Sequence, residues 1–234
     1  MRATIASLAA LILSASPAFS QKKKAPPAVE TISFRTLALA DTKLPQLWVT
    51  ASGKAVPISF SSSQPSAILK ADKTNPFKIY KAPPDDKGQP TDTSPALLDL
   101  PAAPTVLLLG WMENENPVFL AVADSIATAK NDDWLIINRS KKPLTIQIGA
   151  TATPVPVEPN MEQVVKCTAP AGEGAATTIS IKQDDGTMKA VYSSYLPVFA
   201  DKRGILAIVQ NGERIKVSYI EDQIPAKAAA KKKR

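Results

Sequence analysis

The chain has 234 residues, 44% of them hydrophobic, and a formal net charge of +7. It contains one cysteine and no histidine, which excludes an intrachain disulfide, Ser-His-Asp and Cys-His catalysis and nearly every zinc or copper site. Residues 26–222 hold 19 Lys and Arg and all 21 Asp and Glu, a net charge of −2. A near-neutral body argues against a nucleic-acid-binding face, so we expect no specific nucleic-acid partner.

The N-terminus has the pattern of a secretory signal peptide over residues 1–20. Met1-Arg2 is positively charged, and the apolar run from Ala3 to Leu13 is shorter than the about 20 residues that span a bilayer. Small residues at positions 18 and 20 precede a predicted cleavage site at Ser20/Gln21. We therefore expect a secreted or periplasmic protein whose mature chain has no transmembrane span.

Short basic tails are predicted at both ends of the mature chain, over 21–30 and 223–234. Their positively charged residues are Lys22, Lys23, Lys24, Lys227, Lys231, Lys232, Lys233 and Arg234. Runs of this kind are typical of solvated segments. Two roles stay open: the tails solubilise the protein, or they bind an anionic surface polymer or lipid head groups.

From Thr31 to Glu221, apolar residues recur with period two or in runs of four to seven, and many of the 21 prolines lie between them. This pattern indicates strands. Seven are predicted in the first half, at 33–39, 46–51, 55–60, 77–81, 96–100, 106–111 and 118–122. They predict a first β-sandwich domain over 31–123, with a long exposed loop at 82–95.

The stretch 124–133 is the predicted boundary between two domains, as a linker or short helix. Eight strands are predicted after it, at 134–138, 144–148, 153–157, 162–167, 177–182, 188–193, 205–210 and 214–220. They predict a second β-sandwich domain over 134–222. The segment Asp201-Lys202-Arg203-Gly204 is typical of a polar turn.

Three side chains of the second half are predicted to lie in its core. Trp134 and Tyr192 are on strands with an apolar pattern. Cys167 is interpreted as a small buried hydrophobe, because no histidine is present to activate it as a nucleophile. An intermolecular disulfide at Cys167 is the other interpretation.

Several segments of the second half together carry a resemblance. They are Leu135-Ile136-Ile137-Asn138-Arg139-Ser140, Pro143-Leu144-Thr145-Ile146, Val157-Glu158-Pro159-Asn160, Val191-Tyr192-Ser193-Ser194 and Arg203-Gly204-Ile205-Leu206. Their order resembles exported bacterial β-sandwich proteins of uncharacterised function, over about residues 130–222. The resemblance implies an immunoglobulin-like sandwich and no catalytic residues. The expected fold is therefore all-β, with two tandem immunoglobulin-like antiparallel β-sandwich domains after the signal peptide.

The most site-like segment follows the apolar run at 106–109. It contains Trp111, Glu113, Asn114 and Glu115. An aromatic ring, two acids and an amide can hold a sugar by stacking and hydrogen bonds, or a calcium ion through oxygen ligands. A plain hairpin between the flanking strands would have the same composition, so a ligand site and a structural turn both stay open.

Carboxylate chemistry is the catalytic class that the composition leaves open. Glycoside hydrolysis, for example, needs two acids at a set separation. The adjacent acids are Glu113 with Glu115, Asp85-Asp86, Asp132-Asp133 and Asp184-Asp185, all in turn-like contexts. We therefore expect a non-catalytic binding or structural protein without cofactor or metal, whose partner is an envelope protein, a glycan or an anionic surface polymer. The alternative is a carboxylate-dependent, carbohydrate-active hydrolase.

Overall fold

The computed structural model describes residues 30–39, 42–113, 115–183 and 185–226. These residues form sixteen β-strands and no helix, which confirms the all-β prediction. None of them forms a helix that is long and apolar enough to cross a membrane. The predicted signal peptide and every lysine and arginine of the two predicted tails lie outside the described residues.

Eight strands precede residue 124 and eight follow it. The first eight are β1 (Thr31–Ala38), β2 (Leu47–Ala51), β3 (Lys54–Ile58), β4 (Leu69–Asp72), β5 (Phe77–Ile79), β6 (Ala96–Leu98), β7 (Thr105–Glu113) and β8 (Asn116–Ala123). The second eight are β9 (Asp133–Arg139), β10 (Leu144–Ile148), β11 (Val155–Val157), β12 (Glu162–Lys166), β13 (Gly174–Lys182), β14 (Met188–Pro197), β15 (Lys202–Asn211) and β16 (Arg214–Gln223). Residues 82–95 contain no strand, as predicted.

The strand β4 is the one that the sequence did not predict. Its four residues include both Lys70 and Asp72, so the apolar pattern is too short to recognise. Asp72 is nonetheless buried, because its carboxylate accepts hydrogen bonds from the backbone N–H groups of Ser52 (2.7 Å) and Gly53 (2.9 Å). Both residues of this β2–β3 turn have positive φ, so β4 fixes a tight turn of a neighbouring hairpin.

In the first half, a four-stranded sheet in the order β4-β1-β7-β8 faces two hairpins, β2-β3 and β5-β6. Strands β1 and β7 run parallel, with Ser33 opposite Thr105. Trp48 and Tyr80 exchange backbone hydrogen bonds of 3.0 and 2.8 Å, which joins the hairpins laterally in the order β3-β2-β5-β6. The first half is therefore two layers of strands.

The second half repeats this plan. Its sheets have the orders β12-β9-β15-β16 and β11-β10-β13-β14, and β9 runs parallel to β15 with Leu135 opposite Ile205. Adding eight to each strand number of the first half therefore reproduces the second. Immunoglobulin sandwiches instead place strands A, B, E and D in one sheet and C, F and G in the other, so the predicted immunoglobulin-like connectivity is not confirmed.

Three apolar clusters form the core. Each half has one between its own layers, the first around Phe34, Phe77 and Leu108 and the second around Trp134, Ile146 and Leu206. A third lies where the β4-β1-β7-β8 sheet packs on the β12-β9-β15-β16 sheet. Its fully buried members are Leu37, Leu39, Leu107, Leu109, Val122, Leu135, Ile137, Ile205, Ala207 and Ile220. Both sheets are thus buried on two faces, which explains why β7, β9 and β15 are continuously apolar in sequence.

Two segments predicted as connections differ in outcome. The stretch 124–133, predicted as a linker or short helix, forms turns and no helix over 124–132, and it is anchored because Asp124 and Ile126 are buried. The predicted polar turn at 201–204 contains the start of β15, and its Arg203 is 1% exposed. Both segments carry charged residues because they supply a buried ion network, described below.

The three predicted core residues behave differently. Trp134 and Cys167 are buried in the core of the second half, and Tyr192 is half-buried against it. The Cys167 thiol lies 3.9 Å from the carbonyl oxygen of Ala169. Burial raises its pKa, which keeps the thiol protonated and favours its interpretation as a small core hydrophobe.

Candidate functional site

Four charged side chains meet between the two halves. They are Arg35, Asp124, Arg203 and Asp222, and each is two residues from a member of the apolar cluster between the central sheets. The pairs are Arg35 with Leu37, Asp124 with Val122, Arg203 with Ile205, and Asp222 with Ile220. Because side chains two apart on a strand share a face, all four project into the space between the sheets.

Each arginine of this ion network binds both aspartates. Arg35 donates from Nε to Asp124 (2.7 Å) and from Nη1 and Nη2 to Asp222 (2.6 and 2.8 Å). Arg203 donates from Nε to Asp222 (2.9 Å), from Nη2 to Asp124 (2.7 Å) and from Nη1 to the Ser125 hydroxyl (3.2 Å). Arg35 and Asp124 belong to the first half, and Arg203 and Asp222 to the second. The network therefore bonds the halves to each other.

The network is charge-neutral, and its four side chains are at most 6% exposed. Burial alone would lower the pKa of Arg35, but the hydrogen bonds and charges of Asp222 and Asp124 outweigh it and raise that pKa above the ordinary value. Charges removed from water are tolerated only when paired and hydrogen-bonded. The carboxylates of Asp124 and Asp222 therefore serve to fix the arrangement of the two halves.

A groove lies directly outside the network. It consists of two adjoining cavities of about 280 and 270 Å³, and Gln64 and Gln223 line both. One wall is the loop 63–68 of the first half, and the other is the end of β16 with Tyr219, Glu221 and Gln223. We call this feature the β16 groove.

Polar side chains of the β16 groove are held in place. Lys202 pairs with Glu221 (2.6 Å), which raises the pKa of the Lys202 amine. The Tyr219 hydroxyl donates to the carbonyl oxygen of Pro197 (2.8 Å), and burial together with the charge of Glu221 raises its pKa to about 12. Gln223 donates to the carbonyl oxygen of Asp201 (2.9 Å). The wall is thus polar and preorganised.

The opposite wall is tied to β1. Ser66 and Thr36 are joined by two hydrogen bonds, from the Ser66 N–H to the Thr36 carbonyl oxygen (2.9 Å) and from the Thr36 N–H to the Ser66 hydroxyl (3.0 Å). Pro65 beside them is buried. The loop is therefore a fixed wall, with the exposed Gln64 facing the groove.

The predicted site at 111–115 is not part of the β16 groove. Trp111 is half-buried against the apolar cluster between the sheets, and the Arg139 guanidinium lies 5.7 Å from the centre of its ring. Glu113 ends β7 and is exposed, and Glu115 lies in the turn with φ of 66°. Asn114 lies outside the described residues. The Trp111 ring thus contributes to the contact between the halves.

The other predicted acid pairs lie in exposed or half-buried segments. Lys166 contacts both Asp132 (3.0 Å) and Asp133 (2.6 Å). Asp85 accepts hydrogen bonds from its own turn, and Asp185 accepts one from the Thr187 hydroxyl (2.6 Å). Asp184 is not among the described residues. Within the described ranges, no three Cys, Asp or Glu side chains come together as a metal-ligand set.

A larger cavity, of about 640 Å³, lies in the first half beside residues 99–104. Its lysine, Lys73, forms an exposed ion pair with Glu30 at 3.1 Å. Pro101 and Pro104 contribute much of the remaining wall. Because it joins no buried polar group to a preorganised wall, the β16 groove is the better candidate site.

Sequence reasoning missed the network and the groove. The signal for the network was present, since a lone charge two positions from an apolar residue of a fully buried strand must find a buried partner. The groove had no such signal, because Gln64 and Gln223 come together only in the folded chain. No family model and no curated protein sequence matches this chain.

Proposed function

We propose that the protein is an exported, non-catalytic binding protein associated with the cell envelope. Export rests on the signal-peptide pattern of residues 1–20 and on the predicted cleavage at Ser20/Gln21. The partner is another envelope protein or a glycan, bound by the surfaces of the sandwiches. The lysine-rich tails hold the protein against anionic surface polymers.

The observation that carries this proposal is how the ionisable side chains are used. Of the three buried acids in the described part of the chain, Asp124 and Asp222 are each bonded to two arginines. The third, Asp72, accepts backbone hydrogen bonds from a turn. The carboxylate of the β16 groove, Glu221, is paired with Lys202. A carboxylate-dependent glycoside hydrolase needs one acid to hold a proton and a second to attack or to activate water. Acids neutralised by cations favour binding over catalysis.

The proposal includes two tandem sandwich domains, over 31–123 and 134–222. The repeated strand order of the two halves supports it. An immunoglobulin-like relationship rests on the sequence resemblance alone. Two copies of a binding scaffold that pack through their central sheets leave the sheet edges of each half free to bind a partner.

Sedimentation with purified envelope tests the attachment. The mature protein is compared with a form lacking Lys22–Lys24 and Lys227–Arg234 across a salt series, because lysine contacts with an anionic surface are screened within about 10 Å at 0.1 M salt. We expect the full chain to sediment at low salt and the trimmed form to stay in solution. Equal retention of both forms would show that the tails do not attach the protein.

A further inference from the structure

We propose that the β16 groove binds an extended segment of another polypeptide, which adds to the β12-β9-β15-β16 sheet as a strand beside β16. This inference rests on the proposed binding function and names the site and the chemical class of its partner. It starts from the backbone of β16, which is the outer strand of its sheet.

The hydrogen-bond phase of β16 shows which backbone groups face outward. The β15–β16 turn closes on Asn211 opposite Arg214, and the N–H of Ile224 donates to the carbonyl oxygen of Asp201 (2.9 Å). In an antiparallel ladder, paired and outward residues alternate. Even-numbered residues of β16 therefore bond to β15, and residues 215, 217, 219, 221 and 223 direct their N–H and C=O groups to the free edge.

The outward residues coincide with the groove. Tyr219, Glu221 and Gln223 are three of the residues whose backbone groups face outward, and all three line the β16 groove. Among the described residues, no hydrogen bond occupies their backbone groups. The groove thus offers main-chain donors and acceptors at strand spacing, which is what an added β-strand requires.

The equivalent strand of the first half has been blocked. The register of Met112 with Pro117 matches that of Gln210 with Ile215, so Pro117 occupies an outward position of β8 and removes its N–H group. Natural proteins protect edges with proline and bulges. The long edge strand β14 has a bulge at Val191 and ends at Pro197. Strand β16 pairs over ten residues without proline or bulge.

The shape of the groove favours a single extended chain. The fixed loop 63–68 stands opposite residues 219–223. A narrow partner such as one strand, which lies about 4.8 Å from its neighbour, suits a site with two walls better than the broad face of a second sandwich. The charges of the groove are compensated, because Lys202 pairs with Glu221 and both oxygens of Asp222 are bonded. The partner is therefore a segment with uncharged side chains toward the groove, whose affinity comes mainly from its backbone.

The probe is a phage-displayed library of random peptides of about nine residues, the length of a typical strand with its flanks. It is selected on the tail-trimmed protein, so that the outcome is independent of envelope attachment. We expect selected peptides to slow amide hydrogen exchange of Val217, Tyr219 and Glu221. Failure to select a peptide, or protection confined to other residues, would overturn the proposal.

Two variants and one chemical change test the mode of binding. Gln64→Trp fills the groove and should weaken the peptide about tenfold or more, whereas Gln163→Trp, at an exposed glutamine of the edge strand β12, should leave affinity unchanged. The backbone nitrogens of the peptide are methylated at alternate residues, in two separate sets. Methylation of one set should lower the affinity about tenfold and methylation of the other set only slightly, because only one set of N–H groups donates to β16. Equal loss for both sets would mean that side chains, not a main-chain ladder, make the contact.

Discussion

Asp124 and Asp222 occupy equivalent positions in the two halves of the chain. Val122 lies opposite Leu107 and Ile220 opposite Ile205, and each aspartate follows two residues later. The residues opposite them on the partner strands differ. Arg203 lies opposite Asp222, whereas the carbonyl oxygen of Thr105 accepts a hydrogen bond from the backbone N–H of Asp124. The second arginine, Arg35, comes instead from β1. Equivalent positions of the two halves thus supply both aspartates of the ion network.

The first prediction is that breaking the ion network greatly lowers the stability of the fold. Asp222→Asn leaves two buried arginines with one carboxylate, and removing one member of a buried pair costs about 3–5 kcal/mol of unfolding free energy. Urea unfolding measures it. The control is Glu30→Gln, which breaks the exposed Lys73–Glu30 pair and should cost less than about 1 kcal/mol. Similar losses for the two variants would contradict the role of the network.

A second prediction concerns alkaline pH. The pKa of Tyr219 is raised from 10.0 to about 12 by burial and by the charge of Glu221. Because the folded state holds this proton more tightly than the unfolded state, its contribution to stability is complete below pH 10 and is lost as the pH rises through about 12. Tyr219→Phe should remove the last phase of the tyrosinate absorbance titration. Tyr195→Phe, at a side chain 71% exposed, should leave that phase in place.

A third prediction concerns the close approach of β15 to Trp134. A Cβ atom on Gly204 would lie 2.5 Å from Cδ2 of the Trp134 ring, and that ring is 1% exposed with no room to move. Gly204→Ala should therefore cost about 1–3 kcal/mol of unfolding free energy, as overpacking does. In a Trp134→Leu background the same change should cost less, because the clashing ring is gone. Additive losses would contradict the clash.

A fourth prediction concerns the mature N-terminus. Cleavage after Ser20 should make Gln21 the first residue of the exported protein, because positions 18 and 20 are small as signal peptidase requires. Mass spectrometry of the protein recovered from an exporting cell measures this. Replacing Ala18 with Arg should block processing. Exported protein that retains residues 1–20 would contradict the prediction.

The strands were predictable because their periodicity is local. All fifteen predicted strands overlap observed ones, and β4 escaped because Lys70 and Asp72 break its apolar pattern. The packing of the two central sheets was not predicted, although the continuous apolar run of β7 is typical of a strand buried on both faces. Arg35 and Asp222 are 187 residues apart, and no local pattern indicates which buried charge pairs with which. The β16 groove escaped for the same reason, since its walls come from different halves.

The parallel pairing inside each half also constrains the order of assembly. Ser33 pairs with Thr105, and Leu135 pairs with Ile205. Neither sandwich can therefore close before its seventh strand, β7 or β15, has been synthesised. Contacts between residues this distant in the chain form slowly, because the loop between them must be closed first. In a nascent chain the first sandwich therefore stays open until about half of the 234 residues have been made, since β7 ends at Glu113. We expect the second sandwich to close only after nearly the whole chain has been made, because β15 ends at residue 211 of 234.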